Sequence, residues 1–563
     1  MNRPWLDHYD TGVPTTLAPY PERTLLDYLA DSARDCGDRP ALLFKGTTVT
    51  YARLERESDV FAAALAANGV KRGDRVAICL PNCPQFFVAE LGAWKLGAIA
   101  CPFNPTYTER EMQDALETTG ATTLVVLNRF YEKVKSIQSA TSVKRVIVTN
   151  IKEYLPPFLS IAFTLFKERK EGDRITVASG DLRMADLMRT FRGSTRPAST
   201  LSPDDTAVIL MSGGTTGKPK GVVGLHRSMV TAGLQLKAWL NPVMREWDTI
   251  LLPLPLFHTY ANTGVQSLAF VNHNPIALVP NPRDLADMLR DFNRVKPAFT
   301  CAVPTLLNGI MNHPMVKANK VDFSSLKLCF SGAAALMAET KKRFEDLTGC
   351  VIVEGYSLTE AQMAVVANPV RGPRKIGSVG MPLPDVDVRI VDADTGVTDM
   401  PLGEVGEIVI RARQIMPGYW SDPTASKEML RTDTDGERLL FTGDLGYLDN
   451  DGYLFIVDRK KDLIKTSGFQ VWPREIEEVL SANPSVLEVG VTGIPDKMKG
   501  ETVKAWIVLR PGTALDAAEA KAWCRERLAP YKVPSQFEFV NDLPKSQVGK
   551  VLRRMLRQEP APT

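Results

Sequence analysis

Met211-Ser-Gly-Gly-Thr-Thr-Gly-Lys-Pro-Lys-Gly221 gathers glycines, hydroxyls and two lysines into one short stretch. Glycine lets a backbone turn tightly and bring its N–H groups against an anion with no Cβ between them. Ser212, Thr215 and Thr216 add hydroxyl donors to Gly213, Gly214 and Gly217, and Lys218 and Lys220 add positive charge. This is the chemistry of a loop that wraps phosphate. A Walker-type loop would carry Gly at position 212 and Ser or Thr at position 219; Ser212 and Pro219 stand there instead. A kinase or GTPase thus lacks its metal-binding hydroxyl, and a flexible surface loop is the plain alternative.

Other candidates sit where apolar runs break into small or polar residues, the places where ligands gather in α/β sheets. They are Leu254-Pro-Leu-Phe-His258, Leu326–Phe330 running into Ser331-Gly-Ala-Ala, and Glu354-Gly-Tyr-Ser-Leu-Thr-Glu360. Each has an ordinary reading as well. His258 could be a satisfied core histidine, Glu354–Glu360 a helix-capping turn, and Asp444 a turn residue before Gly446. Asp458-Arg-Lys-Lys-Asp462 reads as a solvated linker, and Lys550, near a basic C-terminus, as a surface lysine. No nucleophile–base pair stands out. Eight cysteines are scattered with no CxxC pair, so they read as buried reduced thiols in a reducing cytoplasm.

The elements that must position these residues follow from pattern. At 563 residues two or more domains are expected. A net charge of +3 argues against a nucleic-acid binder. Val76–Leu80 and Thr123–Val126 read as buried strands around a helix from Pro84 to Leu96, the repetition of parallel sheets covered by helices. From Pro382 to Val457 the runs shorten into a smaller, mainly β subdomain. Pro473 opens a helix at its first turn, and two strands, a helix and a final strand follow. The segment 155–166, dense in large apolar residues and followed by Lys167, Arg169 and Lys170, has two readings. The short run favours a helix packed on the protein's own core; the alternative is peripheral contact of 155–170 with a membrane. The N-terminus lacks a signal-peptide core, and no run reaches the roughly 20 apolar residues of a span. The expected location is the cytoplasm, peripheral at most to the inner face of the membrane.

Five motifs in one order resemble the adenylate-forming superfamily of acyl-CoA synthetases, aryl-CoA ligases, peptide-synthetase adenylation domains and luciferases. They are Ser212–Gly221, Glu354–Glu360, Thr442-Gly-Asp444, Asp458–Asp462 and Pro544-Lys-Ser-Gln-Val-Gly-Lys550. The layout is most similar to bacterial long-chain fatty acid–CoA ligases. The resemblance implies an α/β N-terminal domain, 1–459, of parallel sheets flanked by helices, and a small mobile α+β C-terminal domain, 460–563. It implies that a carboxylate attacks the α-phosphate of ATP and that coenzyme A then displaces AMP. Thr215, Thr216, Gly217 and Lys220 would hold phosphates. Glu360 would bind Mg²⁺, and Thr359 would contact the α-phosphate. Tyr356 would lie against adenine beside the backbone of Gly332 and Ala333. Asp444 would take the ribose hydroxyls, Arg459 the ribose or phosphate edge, and Lys550 would drive adenylation. Lys461 would be the hinge, and His258 would stand at the carboxylate entrance. Lys465 stands where similar long-chain enzymes often carry an apolar residue and where coumarate ligases carry lysine. With Ser331-Gly-Ala-Ala it leaves chain length open between long, medium and aryl or aryloxy acids. A luciferase-like monooxygenase is the rival from another class. Expected partners are the carboxylic acid, ATP and CoA, with no nucleic acid; a homodimer is kept open.

Overall fold

Short β-branched runs and helices begun by Thr or Pro alternate through the first half of the chain, and they build two sheets. The computed structural model describes residues 3–212, 219–332, 336–363, 365–433, 435–466, 469–496, 500–545 and 551–557. A seven-stranded sheet runs in spatial order Leu182–Arg183, Arg145–Thr149, Thr123–Leu127, Arg75–Cys79, Ile99–Pro102, Thr206–Ser212 and Lys220–Leu225. Its pairs are parallel except the last, which is antiparallel and sets Ser212 opposite Lys220. The two ends of the glycine-rich loop are therefore pinned side by side. The helix Pro84–Trp94 is buried along its whole length, as its unbroken apolar character requires.

The second sheet has fourteen strands. Its parallel part runs Pro40–Phe44, Ile276–Leu278, Ile250–Leu252, Phe299–Ala302, Leu328–Ser331 and Val351–Tyr356. It continues without a break into antiparallel strands, Val366–Ala367, Ser378–Pro382, Leu454–Arg459, Arg438–Leu448, Gly406–Arg411 and Asp387–Val391. The expected small β subdomain is thus hydrogen-bonded onto the end of the parallel sheet. Gly380 marks the join: its φ is +104° and a Cβ there would stand 1.9 Å from the backbone of Ala367, so only glycine fits.

Beyond the short turn Lys460–Asp462, the strands Ile464–Thr466, Phe469–Val471, Val486–Asp496, Gly500–Leu509 and Gln536–Phe539 form a separate five-stranded sheet. The helices Pro473–Ser481 and Ala517–Arg525 close a core of its own, around Ile464, Ile476, Leu480, Val491, Ile507 and Cys524.

One expectation is overturned. The segment after Leu155 is helical, Pro157–Phe166, but none of its residues is buried and none joins a core cluster. Before the helix, Tyr154 is buried and Leu155 packs against the core. The chain then turns outward at Pro156-Pro157, and the helix packs on the turn Ile151–Tyr154 rather than on a sheet face. Among the described residues no helix is long and apolar enough to cross a membrane. All eight cysteines are free thiols, seven of them buried.

Candidate active site

The ends of strands from both large sheets converge on one cavity of about 570 Å³. Ser212, Lys220, His258, Gly332, Tyr356, Thr359, Glu360 and Arg459 all lie on its walls. Leu236, Phe330, Met363, Val366 and Leu383 give the same cavity an apolar share.

Asp444 and Arg459 are partners across the pair Arg438–Leu448 and Leu454–Arg459, so strand register fixes their approach. Arg459 Nε stands 3.0 Å from Asp444 Oδ1, and the Tyr356 hydroxyl donates to Asp444 Oδ2 at 2.7 Å. Burial, and then the Asp444 charge, push the Tyr356 phenol well above its usual range, so it stays a donor. The Asp444 carboxylate raises the Arg459 guanidinium in turn and keeps it charged. A carboxylate offers about four lone-pair directions. Two are taken here, one on each oxygen.

Glu360 leaves the strand Val351–Tyr356 through the one-turn helix Thr359–Ala361. Tyr419 donates its hydroxyl to Glu360 Oε1 at 2.8 Å, and Lys220 Nζ lies 5.0 Å over the Tyr419 ring. Tyr419 was not found from sequence; the only signal was an aromatic pair, Tyr419-Trp420, after the turn residues Pro417-Gly418. Two consecutive non-glycine residues, Gln362 (φ 52°) and Met363 (φ 68°), hold left-handed conformations just beyond. Each costs on the order of 1–3 kcal/mol and persists only where the surroundings impose it. Gln362 is buried, donates to the Thr359 carbonyl at 3.2 Å and accepts from Thr263 at 3.4 Å. The strain sits directly behind Thr359 and Glu360.

His258 faces the cavity and is partly buried, and that burial pushes its imidazole down to about 4. It is neutral at pH 7. Its Nδ1 accepts from the Tyr260 backbone at 3.2 Å, which leaves the proton on Nε2. Tyr260 is itself fixed by its hydroxyl on the Phe330 carbonyl at 2.7 Å. A Cβ at Gly332 would stand 3.2 Å from the Tyr260 ring, close enough to press on it.

The residues fit a magnesium ion of the kind that accompanies a nucleotide. Mg²⁺ takes one or two protein carboxylates and completes its shell with phosphate oxygens and water. Glu360 Oε2 has no donor among the described residues, and no group of three or more metal-ligating side chains competes with it there.

Lys465 is not on the cavity walls. It stands in the strand Ile464–Thr466 of the small sheet with an exposed side chain, its backbone N–H on Glu501 at 2.9 Å. Gly213, Gly214, Thr215, Thr216, Gly217, Lys218, Ala333 and Lys550 lie outside the described residues. Arg553, another residue missed from sequence, joins Asp458 of the large sheet to Glu477 of the helix Pro473–Ser481, at 2.6 Å each.

The cavity thus offers cations and hydroxyls suited to phosphate, one open carboxylate oxygen and an apolar wall, with the buried Asp444 bonded behind Tyr356 and Arg459. The profile of the AMP-binding enzyme family matches residues 29–420, and that of the AMP-binding enzyme C-terminal domain matches 475–550. A long-chain-fatty-acid–CoA ligase of Bacillus subtilis is 37% identical over 558 residues, covering 99% of this chain and 98% of its own. Among solved structures, an anthranilate CoA ligase in complex with anthranoyl-AMP superposes with a TM-score of 0.82 at 26% identity, covering 96% and 97% of the two chains. The ATP-bound MatB from Rhodopseudomonas palustris does so with 0.79 at 27% identity, covering 95% and 98%. The chain belongs to the AMP-binding, adenylate-forming enzyme family.

Proposed function

We propose that this protein joins a fatty acid to coenzyme A at the expense of ATP. The observation that carries the reading is the single cavity where Arg459 and Tyr356, both bonded to Asp444 behind the wall, the phosphate-suited Lys220 and Thr359, and an apolar wall meet. In the first half-reaction a carboxylate oxygen bonds to the α-phosphorus and the α–β bridging bond breaks, releasing pyrophosphate. In the second, the CoA sulfur bonds to the acyl carbon, the acyl–phosphate bond breaks, and AMP leaves. Negative charge accumulates around the α-phosphate in the first step, so oriented donors and cations there lower its barrier.

Asp444 would hold the ribose diol, with Arg459 paired to it. Tyr356 would place its ring against the base while its hydroxyl steadies Asp444. Thr359 and Lys220 would direct donors at the phosphates, together with Ser212 and the residues 213–218. Neutral His258 would stand beside the carboxylate with Nε2–H as a donor. Lys550 would draw the carboxylate to the α-phosphate, on the strength of its motif. Glu360 would hold Mg²⁺, which when bound neutralises charge on the phosphate oxygens. The division of labour between a body at 1–459 and a mobile lobe at 460–563 belongs to the same reading, with Lys465 coming to the cavity only when the lobe has turned. A cytoplasmic setting agrees with eight free thiols.

Aromatic acids are the second reading, favoured by the anthranilate ligase among the structural relatives. The test is ATP–pyrophosphate exchange with magnesium across saturated and unsaturated fatty acids of increasing length, benzoate and cinnamate. Exchange that rises with chain length supports the fatty acid reading. Exchange with the aromatic acids alone transfers the protein to the second, and no exchange with any acid removes both.

A further inference from the structure

We propose that the helix Pro157–Phe166 docks this protein on an anionic lipid surface. Phe158, Ile161 and Leu165 recur at helical spacing on one face and are 69%, 63% and 70% exposed, with Phe166 at 75% beside them. Isolated exposed apolar residues are ordinary, but a cluster of four large ones within about two and a half turns of helix marks an interaction site. Ten residues make a helix of about 15 Å, half a bilayer core, so it would lie in the interface and not cross it.

Two further observations select the occupant. The helix is anchored at its end: Glu168, two residues beyond it, is buried and takes Lys152 Nζ at 2.6 Å and Asn150 Nδ2 at 3.0 Å. Thr164 turns its hydroxyl back to the Ser160 carbonyl. The charge around it is cationic toward solvent. Glu168 is paired with Lys152, and Glu171 and Asp173 with Arg129, while Glu153 bonds only the neutral Thr149 hydroxyl and Asn150 backbone. Arg169, Lys170 and Arg174 are exposed, with no acidic partner among the described residues. Wedge-like apolar side chains rimmed by cations complement anionic headgroups over acyl chains. A twofold contact with a second copy would instead bring these cations together. The proposal is independent of which acid the cavity accepts.

The experiment is flotation of the full-length protein with phosphatidylglycerol–phosphatidylethanolamine vesicles and with phosphatidylcholine vesicles. The wild type is expected to float with the first and far less with the second. Phe158→Ser with Leu165→Ser should weaken binding at least about tenfold. Arg169→Gln with Lys170→Gln should weaken it about tenfold on anionic vesicles only. Both variants should keep the wild-type melting temperature and pyrophosphate exchange with a water-soluble acid, which shows that loss of flotation is not loss of folding. Failure of the wild type to float, or flotation of the apolar variant like the wild type, overturns the proposal. So does sedimentation in which the apolar variant splits a dimer while flotation is unchanged, which would give the face to a second copy.

Discussion

Glu90 is buried in the helix Pro84–Trp94 with no cation paired to it among the described residues. Its oxygens take the side-chain amides of Asn262 (2.7 Å) and Gln266 (2.6 Å), from the π-helical stretch Tyr260–Gln266 that begins at the cavity wall. Burial raises its carboxyl from 4.5 to about 7, against the two hydrogen bonds that lower it. A group whose folded value lies above its unfolded one favours the fold fully below pH 4.5 and loses that contribution as pH climbs through about 7. The difference corresponds to about 3 kcal/mol at alkaline pH. Asn262 Oδ1 and Gln266 Oε1 are buried without partners, so a turned amide there could accept from a neutral side chain at position 90. Glu90→Gln should therefore be more stable than wild type above neutrality, with the advantage shrinking toward pH 4.5. Urea unfolding at a series of pH values measures it, and a pH-independent difference between the two proteins would refute the account. His226 works the other way. It is fully buried, and burial lowers its imidazole to about 4, so its share of stability is complete above 6.5 and fades toward 4.

At the scale of elements, Arg553 ties the short helix Arg553–Leu556 to Asp458 of the large sheet. Arg553 makes a two-pronged contact with Glu477, at 3.0 and 2.6 Å, and reaches Asp458 at 2.6 Å. Asp458 also accepts from the backbones of Arg459 and Arg474. Burial alone would lower the Arg553 guanidinium, but the two carboxylates outweigh it and raise it. Removing one member of a buried ion cluster costs about 3–5 kcal/mol, because the others stay desolvated; partial exposure of Glu477 puts this case at the low end. Arg553→Ala should lower the thermal midpoint clearly, and Arg553→Lys should recover only part, since an ammonium cannot make the fork. An unchanged midpoint in the alanine variant would show the cluster to be incidental. None of this was legible in the sequence, where Asp458 and Arg553 are simply charged residues far apart. What was legible had local causes. The β-branched run at Thr123–Leu127 reads as a strand and Pro473 as a helix start because neighbouring residues decide them. Sheet order did not read, because Leu42 finds Ile276 and Asp444 finds Arg459 only through the whole fold. The helix Pro157–Phe166 was legible as apolar but not as exposed, since burial depends on which sheet faces are already covered.

At the scale of the whole molecule, two large sheets share one cavity and a third, smaller sheet hangs from the turn Lys460–Asp462. Arg459, Lys460 and Lys461 line the cavity, while Lys465, a few residues on, does not. One orientation of the small sheet therefore presents the chain around the turn to the nucleotide but leaves Lys465 outside. If the protein runs both half-reactions at one nucleotide, the small lobe has to turn about this segment between them. Lys461→Pro fixes φ near −65° and removes that torsion. Pyrophosphate exchange should then stay close to wild type while thioester formation from supplied acyl-adenylate slows at least about tenfold, the mark of a conformational step. Lys550→Ala should do the reverse, cutting exchange by about a hundredfold or more through loss of a cation at the developing charge and sparing the thioester step. The two assays on the two variants form a square. Opposite corners must fall for alternation of one lobe over one site to hold, and equal loss in both assays for both variants would mean that a single fixed arrangement performs the whole reaction.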